Sequence, residues 1–267
     1  MAAEYPHVLA QNRLEDAENT YFRNGSNNNL TEHSIYLLDY LTDRSRGSMF
    51  QGDGSATEQR VIWDLGEALE CDTMVLDKNF TLTGGKLYLD HATSLGGTYT
   101  NVVTITALTS TLIYWRTFTA VSKQFWRLRL TTLSAPPPKI FNFWVGKRIE
   151  FSDFGSYGEF DPWEEEKIGD TIRGAAGGFA WNHRFARRII RTDFRNLTDT
   201  QWGKIKSWWD QALDDGKNWW WLTFPTTRED NPNDATYFPV YCNDEGGALK
   251  FPFGTTRNGG IAGYEVL

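Results

Sequence analysis

The sequence of 267 residues contains little cysteine and no long apolar run. Its two cysteines, Cys71 and Cys242, fall in what we predict to be different domains, so a disulfide framework is excluded and both thiols are expected to be inert. No segment approaches the roughly 18 apolar residues of a membrane span. The N-terminus also lacks the basic and apolar regions of a signal peptide. We therefore expect no membrane span and synthesis in the cytoplasm.

Positive charge is also scarce. The chain has 27 Lys and Arg against 34 Asp and Glu, which gives a net charge of -7. Proteins that grip nucleic acid present a basic surface to the phosphates. We therefore predict no specific nucleic-acid binding.

Signatures of catalysis are missing as well. The four histidines are far apart in the sequence, and none lies in an H-E-x-x-H motif or in metal-binding spacing with a cysteine. There is no G-x-S-x-G elbow, Walker loop or dinucleotide fingerprint. The acidic run 161–166 contains carboxylates of the kind that glycosidases use in pairs, but adjacent carboxylates beside Pro162 are more typical of a solvated turn. We predict a protein that is not an enzyme, with no catalytic residues, no cofactor and no metal site.

Aromatic residues are abundant, at 15% of the chain and 12 Trp, which favours β-rich cores and contact surfaces. The stretch 124–151 is the most informative. Arg127 and Arg129 alternate there with Trp126, Leu128 and Leu130, the pattern of a half-buried strand. The three prolines at 136–138 then hold the chain extended and lead into a second, apolar strand at 140–145.

Other short strands precede this pair, at intervals of roughly ten residues with Gly-rich turns between them. They are predicted at 60–66, 71–76, 86–89, 101–108 and 113–118. Asp64, followed by Leu65 and Gly66, suits a strand exit where the carboxylate accepts hydrogen bonds from turn amides. The spacing predicts an antiparallel sandwich.

The same region resembles the discoidin-like, or galactose-binding-like, domains. The resemblance rests on Leu41-Thr42-Asp43, on Val61 to Gly66 with its Trp63 and D-L-G ending, on Phe125 to Leu130, and on Phe143 to Gly146. It implies a jelly-roll sandwich over residues 35–150. In such a domain the loops can hold a host surface glycan.

Beyond Gly146 the composition changes, and the clearest helix of the chain follows. Thr198 and Gln201 form a capping box, and apolar residues at helical spacing continue from Trp202, which predicts a helix over 198–215. An Arg-rich strand precedes this helix and an aromatic strand, 219–224, follows it. A turn is predicted at 258–260.

This order of elements resembles the small β-barrel domains of bacteriophage tail proteins. The matching pieces are Arg187 to Arg191, Phe194 to Asp199 and Trp219 to Phe224. The resemblance implies a tail-type barrel with one packed helix that stacks into a ring, of six copies in that family. The predicted fold class is therefore mainly β, with four regions: an N-terminal arm or loop (1–34), the sandwich (35–150), a linker and loop (151–178), and the barrel (179–267).

A ring needs two complementary surfaces on each copy. The one basic patch, which includes Arg187, Arg188 and Arg191, is predicted to pair between subunits with the acidic residues Asp161, Glu164 and Glu165. Contact with DNA in a tube lumen is the alternative for that patch. Trp220 alternates with Trp219 and Trp221, so a neighbouring subunit is expected to cover one side of this strand, unless both sides are buried within the domain.

The function predicted from the sequence is that of a structural virion protein of a phage tail tip, part of a distal-tail or baseplate ring. Its partners would be copies of itself, the tail tube and the tail-tip or hub proteins, and its location would be the virion. The alternative is a carbohydrate-binding module that recognises a cell-surface glycan. No ligand-binding residue is assigned from the sequence.

Overall fold

The computed structural model describes residues 7–32, 34–35, 37–43, 48–53, 56–78, 85–106, 113–133, 138–151, 165–173, 179–212, 219–223, 237–241 and 257–265. For 165–193 and beyond 211 it describes the backbone alone. These residues are mainly β, in two sheets whose described pairings are antiparallel, together with one α-helix. The mainly β fold class, with a single helix, is thereby confirmed.

The elements are short except for three long strands. In chain order they are β1 (His7–Leu9), β2 (Asn19–Asn24), β3 (Phe50–Gln51), β4 (Glu58–Lys78), β5 (Lys86–Ala92), β6 (Thr100–Ile105), β7 (Ile113–Thr131), β8 (Lys139–Gly146), β9 (Ile149–Glu150), β10 (Glu165–Arg173), β11 (Phe179–Leu197), α1 (Asp199–Ala212), β12 (Trp219–Thr223), β13 (Tyr237–Tyr241) and β14 (Arg257–Glu265). A 3₁₀ turn at Leu38–Leu41 precedes β3.

The chain groups into two compact units. The first, which we call the sandwich unit, is built mainly from 11–148. The second, the helix unit, combines the described residues of 1–10, 149–225 and 238–267. The N-terminal segment predicted as a separate arm is therefore shared between the two, because β1 pairs with β9 and β12 whereas β2 pairs with β4.

The sandwich unit consists of one sheet that folds over itself into two layers. Its strand order is β3-β8-β4-β7-β5-β6, with β2 also paired to β4. The first part of β4, 58–64, pairs with β2 and with the last part of β7, whereas 73–78 of β4 pairs with β8 and the first part of β7. Layer one is thus β2, β4, β7, β5 and β6, and layer two is β3, β8 and the other parts of β4 and β7.

Apolar side chains fill the space between the layers. Trp63 of layer one stacks on Phe143 of layer two, with ring centroids 5.6 Å apart, and Phe22 meets Phe50 edge-on at 5.4 Å. Trp63 and Phe143 belong to one continuous cluster of buried residues. Each such fully buried large side chain contributes about 1.5–3 kcal/mol to stability, so this cluster is the main source of the unit's stability.

Two strands are longer than the sequence suggested. The strands predicted at 60–66 and 71–76 are one strand, β4, and those predicted at 113–118 and 125–130 are both part of β7. The pairing of β4 with β7 changes register between Asp64 and Leu69 and again between Cys71 and Thr73. A bulged strand bends but stays paired with its neighbour. The residues between Asp64 and Leu69, which resemble a strand end in the sequence, therefore lie at the bend where β4 passes from layer one to layer two.

Asp64 performs the local role predicted for it. Its Oδ1 accepts hydrogen bonds from the Gly66 amide at 3.0 Å and from Gln124 Nε2 at 2.7 Å. The carbonyl oxygen of Asp64 also accepts a hydrogen bond from the Glu18 amide. Gly66 has a φ of 74°, in the left-handed region. The turn chemistry in the sequence therefore marks the bend of β4.

The segment that follows β1 is held to layer two by a buried amide. Asn12 Nδ2 donates to the carbonyl oxygen of Phe143 at 3.1 Å, and its Oδ1 accepts from the amide of Val145 at 3.1 Å. The Arg13 amide also donates to the Val145 carbonyl. Residues expected to form an arm are thus part of the sandwich.

In the helix unit the strand order is β10-β11-β14-β13-β12-β1-β9. The turn predicted at 258–260 instead lies inside β14, where Phe194 pairs with Gly259 and Asp193 with Gly260. Pairing with β11 holds these glycines in a strand despite their turn propensity.

Helix α1 begins as its sequence predicted. The Thr198 amide donates to Gln201 Oε1 at 2.9 Å, and the Gln201 amide donates to Thr198 Oγ1 at 3.3 Å, which is the capping box. Ile205 and Trp208 are fully buried, and the helix packs on β14, β11 and β9. The helix is described as far as Ala212, so its predicted end at 213–215 lies outside the described residues. Pro136 and Pro137, of the three consecutive prolines, also lie outside them.

We expect Gly66→Ala to destabilise the sandwich unit by about 1–2 kcal/mol, because an L-residue is strained at its positive φ; the exposed Glu18 carboxylate, which the new Cβ would meet, can move aside. Gly96→Ala is the matched control, since a Cβ there meets nothing within 4 Å. Urea unfolding followed by tryptophan fluorescence would measure both. Equal stabilities of the two variants would contradict the bend that we assign to Gly66.

Candidate functional site

The outward side of layer one carries charged and aromatic residues instead of small solvated ones. Along β7, Trp126, Leu128 and Leu130 belong to the core, so the intervening Arg127 and Arg129 face away from it. This agrees with the alternation in the sequence. Equivalent alternation on the neighbouring strands brings further polar residues to the same side.

The strand register arranges these residues in two neighbouring rows across five strands. The first row contains Tyr21, Ile62, Arg127, Asp90 and Asn101. The second row contains Arg23, Arg60, Arg129, Tyr88 and Thr104. We call this surface, together with Tyr99, the arginine face.

Asp90 is the centre of the arginine face. Its side chain is only 1% exposed. Its Oδ2 accepts from Arg127 Nε at 3.0 Å, from Arg127 Nη2 at 2.7 Å and from Arg129 Nε at 2.9 Å. Its Oδ1 accepts from Asn101 Nδ2 at 2.9 Å. One buried carboxylate thus fixes two guanidinium groups from the adjacent strand.

The ionisation of this cluster follows from its contacts. Burial alone would raise the pKa of Asp90, but the hydrogen bonds from Arg129, Asn101 and Arg127 outweigh burial, and the pKa lies below its ordinary value. Burial lowers the pKa of Arg127, and Asp90 opposes that shift. Arginine stays protonated throughout, so Asp90 is a charged acceptor between two cations at neutral pH.

Each of these two guanidinium groups is also stacked on a tyrosine. The Arg127 guanidinium lies 3.9 Å from the ring centroid of Tyr99, and that of Arg129 lies 3.8 Å from the centroid of Tyr88. Both tyrosines are half-buried. A cation over the face of an aromatic ring is attracted by the ring quadrupole, so the rings are held in fixed orientations.

The remaining arginines of the second row have different partners. Arg60 donates to Glu58 Oε1 at 2.7 Å from Nε and to Asn27 Oδ1 at 2.7 Å from Nη1. Arg23 lies over the Tyr21 ring at 5.1 Å. Its Nε is buried, and the described part of the chain offers this atom no hydrogen-bond acceptor.

Tyr99 lies within electrostatic reach of several of these groups. Burial raises the pKa of its hydroxyl, and Arg127, Arg23 and Arg60 oppose the rise. The hydroxyl donates to the carbonyl oxygen of Leu95 at 3.4 Å, a long hydrogen bond. Tyr99 therefore lies in the positive field of the arginine face.

The described residues of the predicted subunit interface belong to the helix unit. The register of β10 and β11 places Glu165 opposite Arg188 and Glu166 opposite Arg187 within the same chain. Arg191 is paired with Ala262 of β14, and Trp220 lies on β12. Asp161 and Glu164 fall outside the described residues. The intersubunit interface therefore stays a prediction.

Most members of the arginine face are far apart in the sequence. Arg127 and Arg129 were visible as an alternating pair, but Asp90 and Tyr88 lie in β5 and Tyr99 lies in the connection between β5 and β6. Only the pairing of β5 with β7 places Asp90 opposite Arg127 and Tyr88 opposite Arg129. In the sequence, the only indication of this site outside β7 was Asp90, a charged residue beside the apolar residue Leu89.

The described residues contain no group of three His, Cys, Asp or Glu side chains placed to hold a metal ion. Their α-helix is too short and too polar to cross a membrane. Cys71 is buried, and burial raises the pKa of its thiol to about 12, so the thiolate is negligible at neutral pH. Cys242 lies outside the described residues.

Comparison with known proteins gives structural similarities alone. No protein-family model matches the chain, and no curated protein matches its sequence significantly. Chitosan-binding module 1 of a chitosanase/glucanase from Paenibacillus sp. IK-5 is similar, at 17% identity, with a TM-score of 0.43 and coverage of 51% of this chain and 98% of that chain.

Two further solved structures show the range of the similarity. Module 2 of the same enzyme, solved with chitotriose, is 19% identical over 51% of this chain and 99% of that chain, with a TM-score of 0.43. A Ruminococcus gnavus GH29 fucosidase, solved with fucose, is 14% identical over 52% of this chain and 27% of that chain, with a TM-score of 0.42. These three are not phage tail proteins. At these identities and TM-scores, function has to be argued from this chain's own residues.

We expect Asp90→Asn to destabilise the sandwich unit by about 2–3 kcal/mol at neutral pH, because it leaves two half-buried guanidinium groups without a carboxylate. Because the pKa of Asp90 is depressed in the folded state, the stabilisation is present above the unfolded pKa of about 3.9. It is lost as the pH falls through the folded-state pKa. The difference between wild type and variant should therefore shrink below about pH 4.

Urea unfolding at a series of pH values measures this difference, and Asp16→Asn, at an exposed position, is the control. A difference that is independent of pH would show that lost packing, and not lost charge, is responsible.

Proposed function

We propose that the sandwich unit is a non-catalytic carbohydrate-binding module and that its arginine face contacts the glycan. The observation that carries the proposal is the pair of half-buried tyrosines, Tyr88 and Tyr99, held in place by arginines that are themselves fixed by Asp90. A sugar ring has apolar C–H faces and a rim of hydroxyl groups. A protein surface that binds it needs flat aromatic groups next to fixed polar groups.

The tyrosines meet the first of these needs. Tyr88 and Tyr99 both remain partly exposed, although Tyr99 also packs against a small apolar cluster of Ile62, Ala92 and Phe125. Tyrosine offers a large rigid contact area at a low cost in conformational entropy, because only two torsions must be fixed. Their orientation is already fixed by the arginines before any ligand arrives, so little is lost on binding.

The polar groups meet the second need. The guanidinium nitrogens of Arg127 and Arg129 are held by Asp90, and the Arg60 side chain is held by Glu58 and Asn27. Each guanidinium has five N–H donors, and the contacts named above do not use all of them. Sugar hydroxyl oxygens are suitable acceptors for the rest.

We expect Tyr99→Ala to weaken glycan binding by about tenfold or more, the usual cost of truncating an aromatic group at the centre of a contact. Tyr99→Phe should retain most of the affinity because it keeps the ring. The measurement is a glycan array followed by calorimetry on the glycans that bind. Tyr40→Ala is the control, since Tyr40 is a half-buried tyrosine on the 3₁₀ turn that packs on β3 and β8.

The proposal fails if no glycan on the array binds. It also fails if Tyr99→Ala and Tyr40→Ala bind equally well, since the glycan would then be held elsewhere.

A role as a ring component of a phage tail tip, located in the virion, is the second candidate. In the helix unit, the Arg-rich strand β11 is followed by the capped helix and then by β12, all joined through one sheet, which is the order of elements that suggested this role. The register of β10 and β11 shows that Arg187 already has an acidic neighbour, Glu166, opposite it in its own chain. Arg191 has no such neighbour in the register, since it is opposite Ala262.

If the chain forms rings, light scattering at several concentrations should find a stable oligomer that Arg187→Glu combined with Arg191→Glu dissociates. Charge reversal disrupts an interface of complementary charges through repulsion. Lys206→Glu is the control, because Lys206 is exposed on α1 and pairs with Asp210. A monomer at every concentration would contradict self-assembly.

A further inference from the structure

We infer that the glycan bound by the arginine face carries a carboxylate, as a uronic acid does, and that Arg23 is the residue that selects for it. This inference rests on the proposed function, since it specifies the ligand class for the same surface. It is argued from the distribution of charge on the face.

Three arginines lie side by side in the second row. Arg23 of β2 is the direct partner of Arg60 of β4, which is in turn the direct partner of Arg129 of β7. Like charges directly opposite each other on neighbouring strands are destabilising. The arrangement is therefore unfavourable unless anions compensate for it.

Carboxylates of the chain neutralise the charge of two of these three arginines. Arg129 is paired with Asp90 at 2.9 Å, and Arg60 is paired with Glu58 at 2.6 Å. Asp90 is also paired with Arg127, whose Nη2 lies 2.7 Å from Asp90 Oδ2. The other acidic residue on this side of β4, Asp64, accepts hydrogen bonds from Gly66 and Gln124.

Arg23 is the member of the row without a carboxylate in the described part of the chain. Its contact there is the ring of Tyr21, and its Nε is buried without an acceptor. In a chain whose net charge is -7, the arginine face is thus a local surplus of positive charge. Because the Arg23 side chain as a whole is half-buried, an anionic group of the ligand would pair with its guanidinium from the solvent side.

The shape of the donor favours a carboxylate. The guanidinium fork of arginine matches the two oxygens of a carboxylate in a planar, bidentate arrangement. Tyr21 lies beside Arg23 and supplies a ring face for the sugar that bears the carboxylate, and Tyr99, stacked on Arg127, supplies a second one on the same surface. A cationic sugar would instead be repelled by the same surface.

The test uses three short probes of different charge: trigalacturonic acid, its fully methyl-esterified form, and chitotriose. The full chain should bind trigalacturonate at least about tenfold more tightly than the ester in calorimetry at low salt, because a hydrogen bond to a charged group is stronger than one to a neutral group. Added salt should narrow this gap, since screening weakens the charge interaction. Chitotriose should bind most weakly.

Arg23→Gln should lower the affinity for trigalacturonate by about tenfold and the affinity for the ester by much less, because the ester loses only a hydrogen bond to a neutral group. Lys147→Gln removes the same charge from the exposed end of β8, where Lys147 pairs with Glu70, and should change neither affinity. Circular dichroism would confirm that both variants are folded.

Equal or tighter binding of the ester or of chitotriose would overturn the inference, as would equal losses in the two variants. Tighter binding of a single-stranded oligonucleotide than of trigalacturonate would also overturn it, because phosphate would then be the preferred anion. If other glycans bind through Tyr99 while trigalacturonate does not, the carbohydrate-binding role is supported and the inferred preference for a carboxylate-bearing glycan is wrong. If no glycan binds at all, the proposed function itself fails.

Discussion

The buried carboxylate of Asp90 is the interaction on which the arginine face depends. Two cations on one strand would repel each other and turn towards water if Asp90, opposite Arg127 on the next strand, did not accept hydrogen bonds from both. Once they are fixed, each orients a tyrosine. The cost of removing a carboxylate from water is offset by charged hydrogen bonds from two arginines and an asparagine, which is the condition under which a buried ion is tolerated.

The interior of the sandwich and the outward side of layer one have different roles. The space between the two layers is apolar, with Trp63 stacked on Phe143, and supplies stability. The outward side of layer one then has no need to be apolar and can hold a polar arrangement that costs stability, such as the row of Arg23, Arg60 and Arg129. A surface that keeps an unfavourable arrangement of charge is a reasonable place to expect a ligand.

Local features of the sequence predicted local features of the fold. The capping box at Thr198, the carboxylate of Asp64 near Gly66, and the alternation about Arg127 all reappear in the structure, because each depends on residues a few positions apart. The continuity of β4 was missed, since a bulge and a strand end share the same turn residues. The arginine face was also missed, because the pairing of Asp90 with Arg127 joins residues on two strands and depends on the register between them.

The continuity of β4 and β7 has a consequence for how the sandwich unit can be divided. Both strands contribute to layer one at one end and to layer two at the other. A cut within either strand would therefore remove a central member from both layers at once, so neither layer is a module that could be exchanged or expressed separately. New sequence is better inserted at the β5–β6 connection, where Gly96 is exposed and a Cβ would meet no neighbour.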